Sequence, residues 1–212
     1  MKESVVVFGR EPIAGKVKSR LSRGLGPEVA ARVYAAVLDH TLRVAAGCGV
    51  PFVLSLAEEP SESWKQRHDF SHEIQVSGDL GERMAATFDL RFREEARRVV
   101  LLGSDCPWVT AAHIHSALAG LEESEVVLGP AIDGGYWLVA QRTPGLDLFS
   151  GVPWSSPDTL DRTRERLAVL GVSWTELEQL QDIDTASDLE LVLNDPRTPE
   201  ALREQIVRTF NG

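Results

Sequence analysis

The chain has 212 residues, 43% hydrophobic and 25% charged, with a formal net charge of −10. That length supports one sizeable core, and the acidic balance excludes a duplex nucleic-acid partner, whose footprint would spread cations along a face. Two cysteines, Cys48 and Cys106, exclude a disulfide framework or a cysteine metal site and are expected as reduced thiols.

Ser4–Phe8 is an apolar, β-branched run of the kind buried on both faces of a parallel sheet. Directly after it, Arg10, Lys16, Lys18 and Arg20 fall within 11 residues, on a loop punctuated by Gly9, Pro12 and Gly15. Even spreading of the 22 Lys and Arg residues would put roughly one there, so the loop is expected to cradle a di- or triphosphate. Pro27 and Glu28 open a long helix with Val29, Val33, Ala36, Val37, Leu42 and Val44 as its apolar stripe, closed by Gly47. Pro51–Leu56 reads as the second strand, Ser61–Gln66 as a short helical turn and Glu73–Val76 as a brief strand.

From Leu80, helical spacing through Met84, Phe88 and Phe92 runs to Arg97 and Arg98, where cations would suit a helix C-terminus. Asp79, Glu82 and Arg83 mark the start of that helix. Val99–Gly103 is a buried strand, followed by a helix over about 110–120 and strands Val126–Gly129 and Tyr136–Ala140. A helix bearing Leu189, Val192 and Leu193 follows Asp184, and Pro199 starts a last one with Leu202, Ile206 and Phe210. That last stripe would pack on the domain or on a second subunit, which leaves a homodimer open. The alternation predicts an α/β sandwich with helices on both faces of the sheet. Residues 1–20 carry no apolar signal core and no run is long enough to span a bilayer, so no membrane span and a cytoplasmic location are expected.

Three motifs carry chemistry. In Gly103-Ser-Asp-Cys-Pro107, Asp105 lies beyond the carboxyl end of a strand, where open α/β sheets bind ligands. It serves either as a Mg²⁺ ligand beside phosphates or as a turn residue satisfying backbone donors before Pro107. Asp184 is read as an N-cap, a role compatible with a ligand at the helix mouth. Asp182 and Asp184 alternate on an extended segment, so only one is expected to face a ligand. In Asp133-Gly-Gly-Tyr136, Gly134 and Gly135 allow close approach to a sugar or acceptor, or simply form an Asp-Gly hairpin turn, and Asp133 is a candidate general base.

His113 and His115 are two apart on a helix and face different ways, so they share no metal. Trp108, Tyr136, Trp137 and Trp154 flank the motifs and either stack on a ligand or pack. A P-loop is excluded because five residues separate Gly9 from Gly15 and Val17 replaces the hydroxyl residue. A dinucleotide fingerprint is excluded because Gly9-Arg-Glu lacks Gly-x-Gly.

Taken in order, Gly9-Arg-Glu-Pro-Ile-Ala-Gly-Lys-Val-Lys-Ser-Arg-Leu21, Gly78-Asp-Leu-Gly-Glu-Arg-Met84, Gly103–Pro107, Asp133–Tyr136, Trp154-Ser155 and Asp182-Ile-Asp-Thr185 resemble the nucleotide-diphospho-sugar transferase superfamily. The likeness is to its small bacterial branch of arsenosugar-biosynthesis glycosyltransferase type. More distantly, the chain is similar to the guanylyltransferases for molybdenum cofactor and 2-phospholactate.

The resemblance implies the GT-A fold, a Rossmann-like α/β/α three-layer sandwich with a mainly parallel mixed sheet. It also implies a single transferase domain over 1–212, in which 195–212 forms a C-terminal helical extension. It assigns Gly9, Arg10, Gly15, Lys16, Lys18 and Arg20 to the nucleotide diphosphate; Gly134 and Gly135, from their own spacing, are expected to join the binding site. Asp105 and Asp184 become ligands of Mg²⁺ or Mn²⁺, although Ser104-Asp-Cys106 lacks one carboxylate of the family's Asp-x-Asp pattern. Together with the reading of Asp133 as a general base, Lys16, Asp105 and Asp133 are the expected catalytic residues. The implied substrates are a nucleotide-sugar or NTP and a small-molecule acceptor. The expected activity is glycosyl transfer, with nucleotidyl transfer from an NTP and a non-catalytic nucleotide-binding protein as the alternatives.

Overall fold

Short β-branched runs become strands because Val and Leu on both faces of a pleated ribbon can be buried by helices above and below. The computed structural model describes residues 2–68 and 70–210. Its strands are β1 (Glu3–Gly9), β2 (Phe52–Leu56), β3 (His72–Ile74), β4 (Arg98–Leu102), β5 (Val126–Pro130), β6 (Tyr136–Gln141) and β7 (Trp174–Glu176). Among the described residues they form one sheet in the order β3-β2-β1-β4-β6-β5-β7, and β6 alone runs against its neighbours. The helices are α1 (Ser19–Leu25), α2 (Pro27–Gly47), α3 (Glu62–Lys65), α4 (Leu80–Arg93), α5 (Ala111–Glu123), α6 (Thr159–Leu170), α7 (Ala186–Asn194) and α8 (Glu200–Arg208).

The two-residue period of β1 sorts the layers. Val5 and Val7 join Leu38 and Leu42 of α2 and Ile114 of α5 on one face, while Val6 joins Met84 and Phe88 of α4 and Leu167 of α6 on the other. This is the expected α/β/α sandwich with a mainly parallel mixed sheet. Among the described residues, no helix is long and apolar enough to cross a membrane.

Several local expectations are corrected. Helix α4 stops at Arg93, because Glu94 caps it and Glu95 takes a positive φ of 67°. Arg98 instead opens β4, where it pairs with Glu3 and Glu122 and donates to the Leu118 carbonyl. Helix α6 and strand β7 have no counterpart in the sequence reading. The inward face of α6 is built from Thr159, Leu160, Thr163 and Leu167, so its apolar period is masked by two threonines. The brief strand ends at Ile74, and Val76 is exposed. In α8, Leu202 and Ile206 are buried against the α2 side, while Phe210, beyond the end of that helix, is exposed. Residue 1 and residues 211–212, the ends of the expected domain and its extension, lie outside the described residues.

The strand order positions the site. Strand β1 has β2 on one side and β4 on the other, so the loops after β1 and β4 diverge and open a crevice beyond the carboxyl ends of the strands.

Candidate active site

The loop after β1 is tied down at both ends. Tyr34 on α2 accepts the Arg10 N–H at 3.0 Å and shares a hydrogen bond with Ser104 Oγ at 2.9 Å, linking the β1 and β4 loops under the crevice. Burial first, then the charge of Asp105, pushes the Tyr34 phenol up to about 12, so it stays protonated. Sequence reading passed over Tyr34, although a phenol on the inward face of an otherwise apolar helix needs a polar partner and was a usable signal. At the outer turn, Gly15 takes a φ of 80° and Lys16 N–H bonds back to the Ile13 carbonyl. Lys16 is 62% exposed and meets Glu58 only at 3.8 Å. The loop is shorter than expected, because α1 begins at Ser19 and places Arg20 in its first turn.

Asp105 leaves β4 and its carbonyl accepts the Ile183 N–H at 3.2 Å. Ile183 is buried, so this bond pins the Asp182–Asp184 segment against the end of β4. Asp105 and Asp184 then converge on one atom. The Lys18 ammonium lies 3.0 Å from Asp105 Oδ1 and 2.9 Å from Asp184 Oδ1, with its side chain only 8% exposed. Arg20 approaches the other oxygen of Asp184 at 3.4 Å. Burial would lower the Lys18 pKa, but the two aspartates outweigh it and hold it above the usual lysine value. The N-cap of α7 is Thr185, in a capping box with Asp188, so the expected cap role of Asp184 is corrected and its carboxylate is left for the cations.

Two clefts meet at this dyad. The first, about 450 Å³, is lined by Gly9, Arg10, Lys16, Lys18, Arg83 and Tyr34 as well as by the dyad. The second, about 490 Å³, holds Asp133, Asp182, Gly135, Trp154 and Ser155, and shares Arg20, Asp105 and Asp184 with the first. Both Asp182 and Asp184 therefore border the second cleft, contrary to the expectation that alternation leaves only one facing inward. Gly134, with a φ of 90°, does not line it: a Cβ there would stand 2.0 Å from the Pro157 carbonyl oxygen, and its own carbonyl accepts the Leu160 N–H. Its smallness serves packing of the β5–β6 turn on the segment before α6. The Asp133 carboxylate accepts the Gly135 N–H at 2.9 Å, the expected tight turn, and is exposed at the cleft.

Asp182 Oδ1 is buried without a hydrogen-bond partner. Burial first, then Asp133, raises its pKa to about 7. Since the unfolded value is about 4, folding favours the neutral acid between those pH values, and this contribution is lost as pH rises through 7. Asp182→Asn is neutral throughout, so its stability relative to wild type should improve by about 4 kcal/mol at most between about pH 4 and pH 8. Urea denaturation across that range checks this; a difference independent of pH would mean that the carboxyl does not titrate as stated.

The donors at the dyad are carboxylate oxygens, the ligands preferred by Mg²⁺ and Mn²⁺. A cationic group already stands where both side chains point, and the orphaned Asp182 oxygen lies on the same segment, so the residues fit a hard divalent cation. Among the described residues, no group of three or more His, Cys, Asp or Glu is assembled around one point. His113 and His115 are engaged within the fold: His113 bonds Thr110 and Glu178, and His115 bonds the Cys48 carbonyl. Trp108 and Trp137 donate to Thr198 and the Glu178 carbonyl within the protein, whereas Trp154 packs over Gly81 and borders the second cleft. Asp79 caps α4 in a capping box with Glu82. Both cysteines are free and buried.

Comparison with known proteins agrees with the resemblance read from the sequence. The chain is 28% identical over 182 residues, 82% of its length and 84% of the relative's, to the phosphoenolpyruvate guanylyltransferase of Sphaerobacter thermophilus. Its structure matches that of a candidate nucleotide-diphospho-sugar transferase from Desulfovibrio desulfuricans G20 with a TM-score of 0.91, at 26% identity over 100% of this chain and 96% of that one. It shares the fold of the manganese complex of Rv0371c from Mycobacterium tuberculosis H37Rv, with a TM-score of 0.52 and 20% identity over 90% and 97% of the two chains. Residues 41–156, more than half of the chain, match the family described as "Uncharacterized protein conserved in bacteria (DUF2064)". The match includes Asp105 and Asp133, whereas the cationic loop and Asp184 lie outside it. The chain belongs to the DUF2064 family.

Proposed function

We propose that this protein, a transferase of the nucleotidyl or glycosyl class, moves a sugar from a nucleotide diphosphate to a small hydroxyl-bearing acceptor with a divalent cation bound. The observation that carries this reading is the separation of charge across the dyad. Arg10, Lys16, Lys18 and Arg83 border the first cleft, which suits a nucleoside diphosphate, while Asp133 and Asp182 border the second. An acceptor with several negative charges would meet the Asp133 carboxylate there; a neutral polyol would meet Asp133 and the Asp182 carboxyl as hydrogen-bond partners for its hydroxyls, and the Trp154 ring.

A cation held by Asp105 and Asp184 would supply charge neutralisation at the diphosphate. The chain's own groups do the rest. Lys16 and Arg20 stabilise the charge that develops on the leaving nucleoside diphosphate as the bond from sugar C1 to its oxygen breaks. Asp133, exposed at the cleft, accepts the proton from the acceptor hydroxyl as its oxygen bonds to C1. Tyr34 holds the two loops in register.

The guanylyltransferase-named relative supports a second reading, in which an acceptor phosphate attacks the α-phosphorus of an NTP and pyrophosphate leaves. Product analysis separates the two. Incubation with UDP-, GDP- and dTDP-sugars and a mixed pool of polyol acceptors is expected to release nucleoside diphosphate. Release of pyrophosphate from NTPs with phosphorylated acceptors, and of no diphosphate from the sugar donors, would replace the first reading by the second.

A further inference from the structure

Lys18 occupies the place that the proposed function gives to a metal ion. It reaches that place through an unusual backbone: φ of 48° and ψ of 53°, left-handed, at the N-cap of α1, with no side-chain capping bond in return. A lysine has no intrinsic preference for this conformation, so the strain is held by what the side chain gains. That gain is the pair of ion pairs with Asp105 and Asp184, in a position almost closed to solvent. The oxygens used are Asp105 Oδ1 and Asp184 Oδ1, and a divalent cation held by the same pair would compete for them. An ammonium and a metal ion in contact with one carboxylate pair repel strongly, so the pair accommodates one at a time. Lys18 also borders the first cleft beside Arg10 and Lys16, and its flexible four-carbon stem allows the ammonium to turn there without moving the backbone.

We propose that Lys18 is a resident counter-cation: it holds Asp105 and Asp184 together before metal binds, yields their oxygens to the incoming divalent cation, and turns to the nucleotide's diphosphate. The inference rests on the metal-dependent reading above and adds a consequence to it. Metal alone must displace the ammonium from both aspartates without bringing it a new anion. When nucleotide is present the ammonium has one, so metal and nucleotide bind cooperatively through Lys18.

The test is Mn²⁺ binding, followed by electron paramagnetic resonance of the free ion, on full-length wild type and Lys18→Met, with and without GDP or UDP. Without nucleotide, Lys18→Met is expected to bind Mn²⁺ at least about ten-fold more tightly than wild type. Nucleotide should tighten Mn²⁺ binding in wild type and do so less in the variant. A Mn²⁺ affinity in the variant equal to or below wild type overturns the proposal.

Should the variant fail to fold, acetylation of wild type read by mass spectrometry decides. The Lys18 amine should be protected without metal, more reactive with Mn²⁺ alone, and protected again with Mn²⁺ and nucleotide; a rate unaffected by Mn²⁺ overturns the proposal. Equal Mn²⁺ binding by both proteins removes only the role of Lys18, whereas no Mn²⁺ binding by either removes the metal-dependent reading with it.

Discussion

Asp105→Asn is expected to lower metal-supported turnover about a hundred-fold or more while leaving the fold intact. The amide keeps the shape of the side chain but loses the charge that, with Asp184, faces the shared cationic position. Stability should fall by only about 1 kcal/mol, because Asp105 is 46% exposed and Lys18 retains its bond to Asp184. The backbone bond from Ile183 to the Asp105 carbonyl is unaffected by the change, so the Asp182–Asp184 segment stays in place. Turnover measured across a Mg²⁺ titration, together with Tm on the same preparation, separates the two effects. Unchanged turnover would return Asp105 to the role of a turn residue before Pro107.

Gly134→Ala should be the most damaging single methyl addition at this end of the sheet. Its φ of 90° disfavours any L side chain, and the new Cβ would stand 2.0 Å from a backbone oxygen that cannot swing away, Pro157 O. The expected cost is about 3 kcal/mol or more, seen as a fall in Tm of roughly 6 °C or more. Because Ser155 and Trp154 precede Pro157 and border the second cleft, turnover should fall with the stability. Gly135→Ala is the control: its Cβ meets only the Asp133 side chain, at 3.2 Å, and no positive φ is required. Comparable losses in both variants would show that the clash with Pro157 is not what makes Gly134 necessary.

Which parts of this molecule were legible in the primary structure follows from the range of the forces involved. Strands β1, β4, β5 and β6 announce themselves because a segment buried on both faces must be apolar residue by residue, which is a local property. Helix α6 is hidden because its inward threonines donate to nearby backbone carbonyls, Thr163 to Thr159 within the helix and Thr159 to Ser156 just before it, so polar residues do the work expected of apolar ones. Strand β7 is three residues at a sheet edge, too short for any period to register. The cap of α7 was placed one residue early because Asp184 and Thr185 are both good caps, and only the Thr185–Asp188 box decides between them.

The residue types alone determined that a cluster of cations follows the first strand, that an acid follows the fourth, and that the fold is a helix-covered, mainly parallel sheet. All three are statements about short windows, where composition and spacing carry the physics. The tertiary structure decided where each charge ends up. Lys18 and Asp184 are 166 positions apart, and their bond depends on the strand order and on one backbone hydrogen bond from Ile183 to Asp105. No window of sequence contains that information. A cation that composition assigns to a phosphate thus lies buried between two carboxylates, because desolvated opposite charges must pair with whatever the fold brings within about 3 Å.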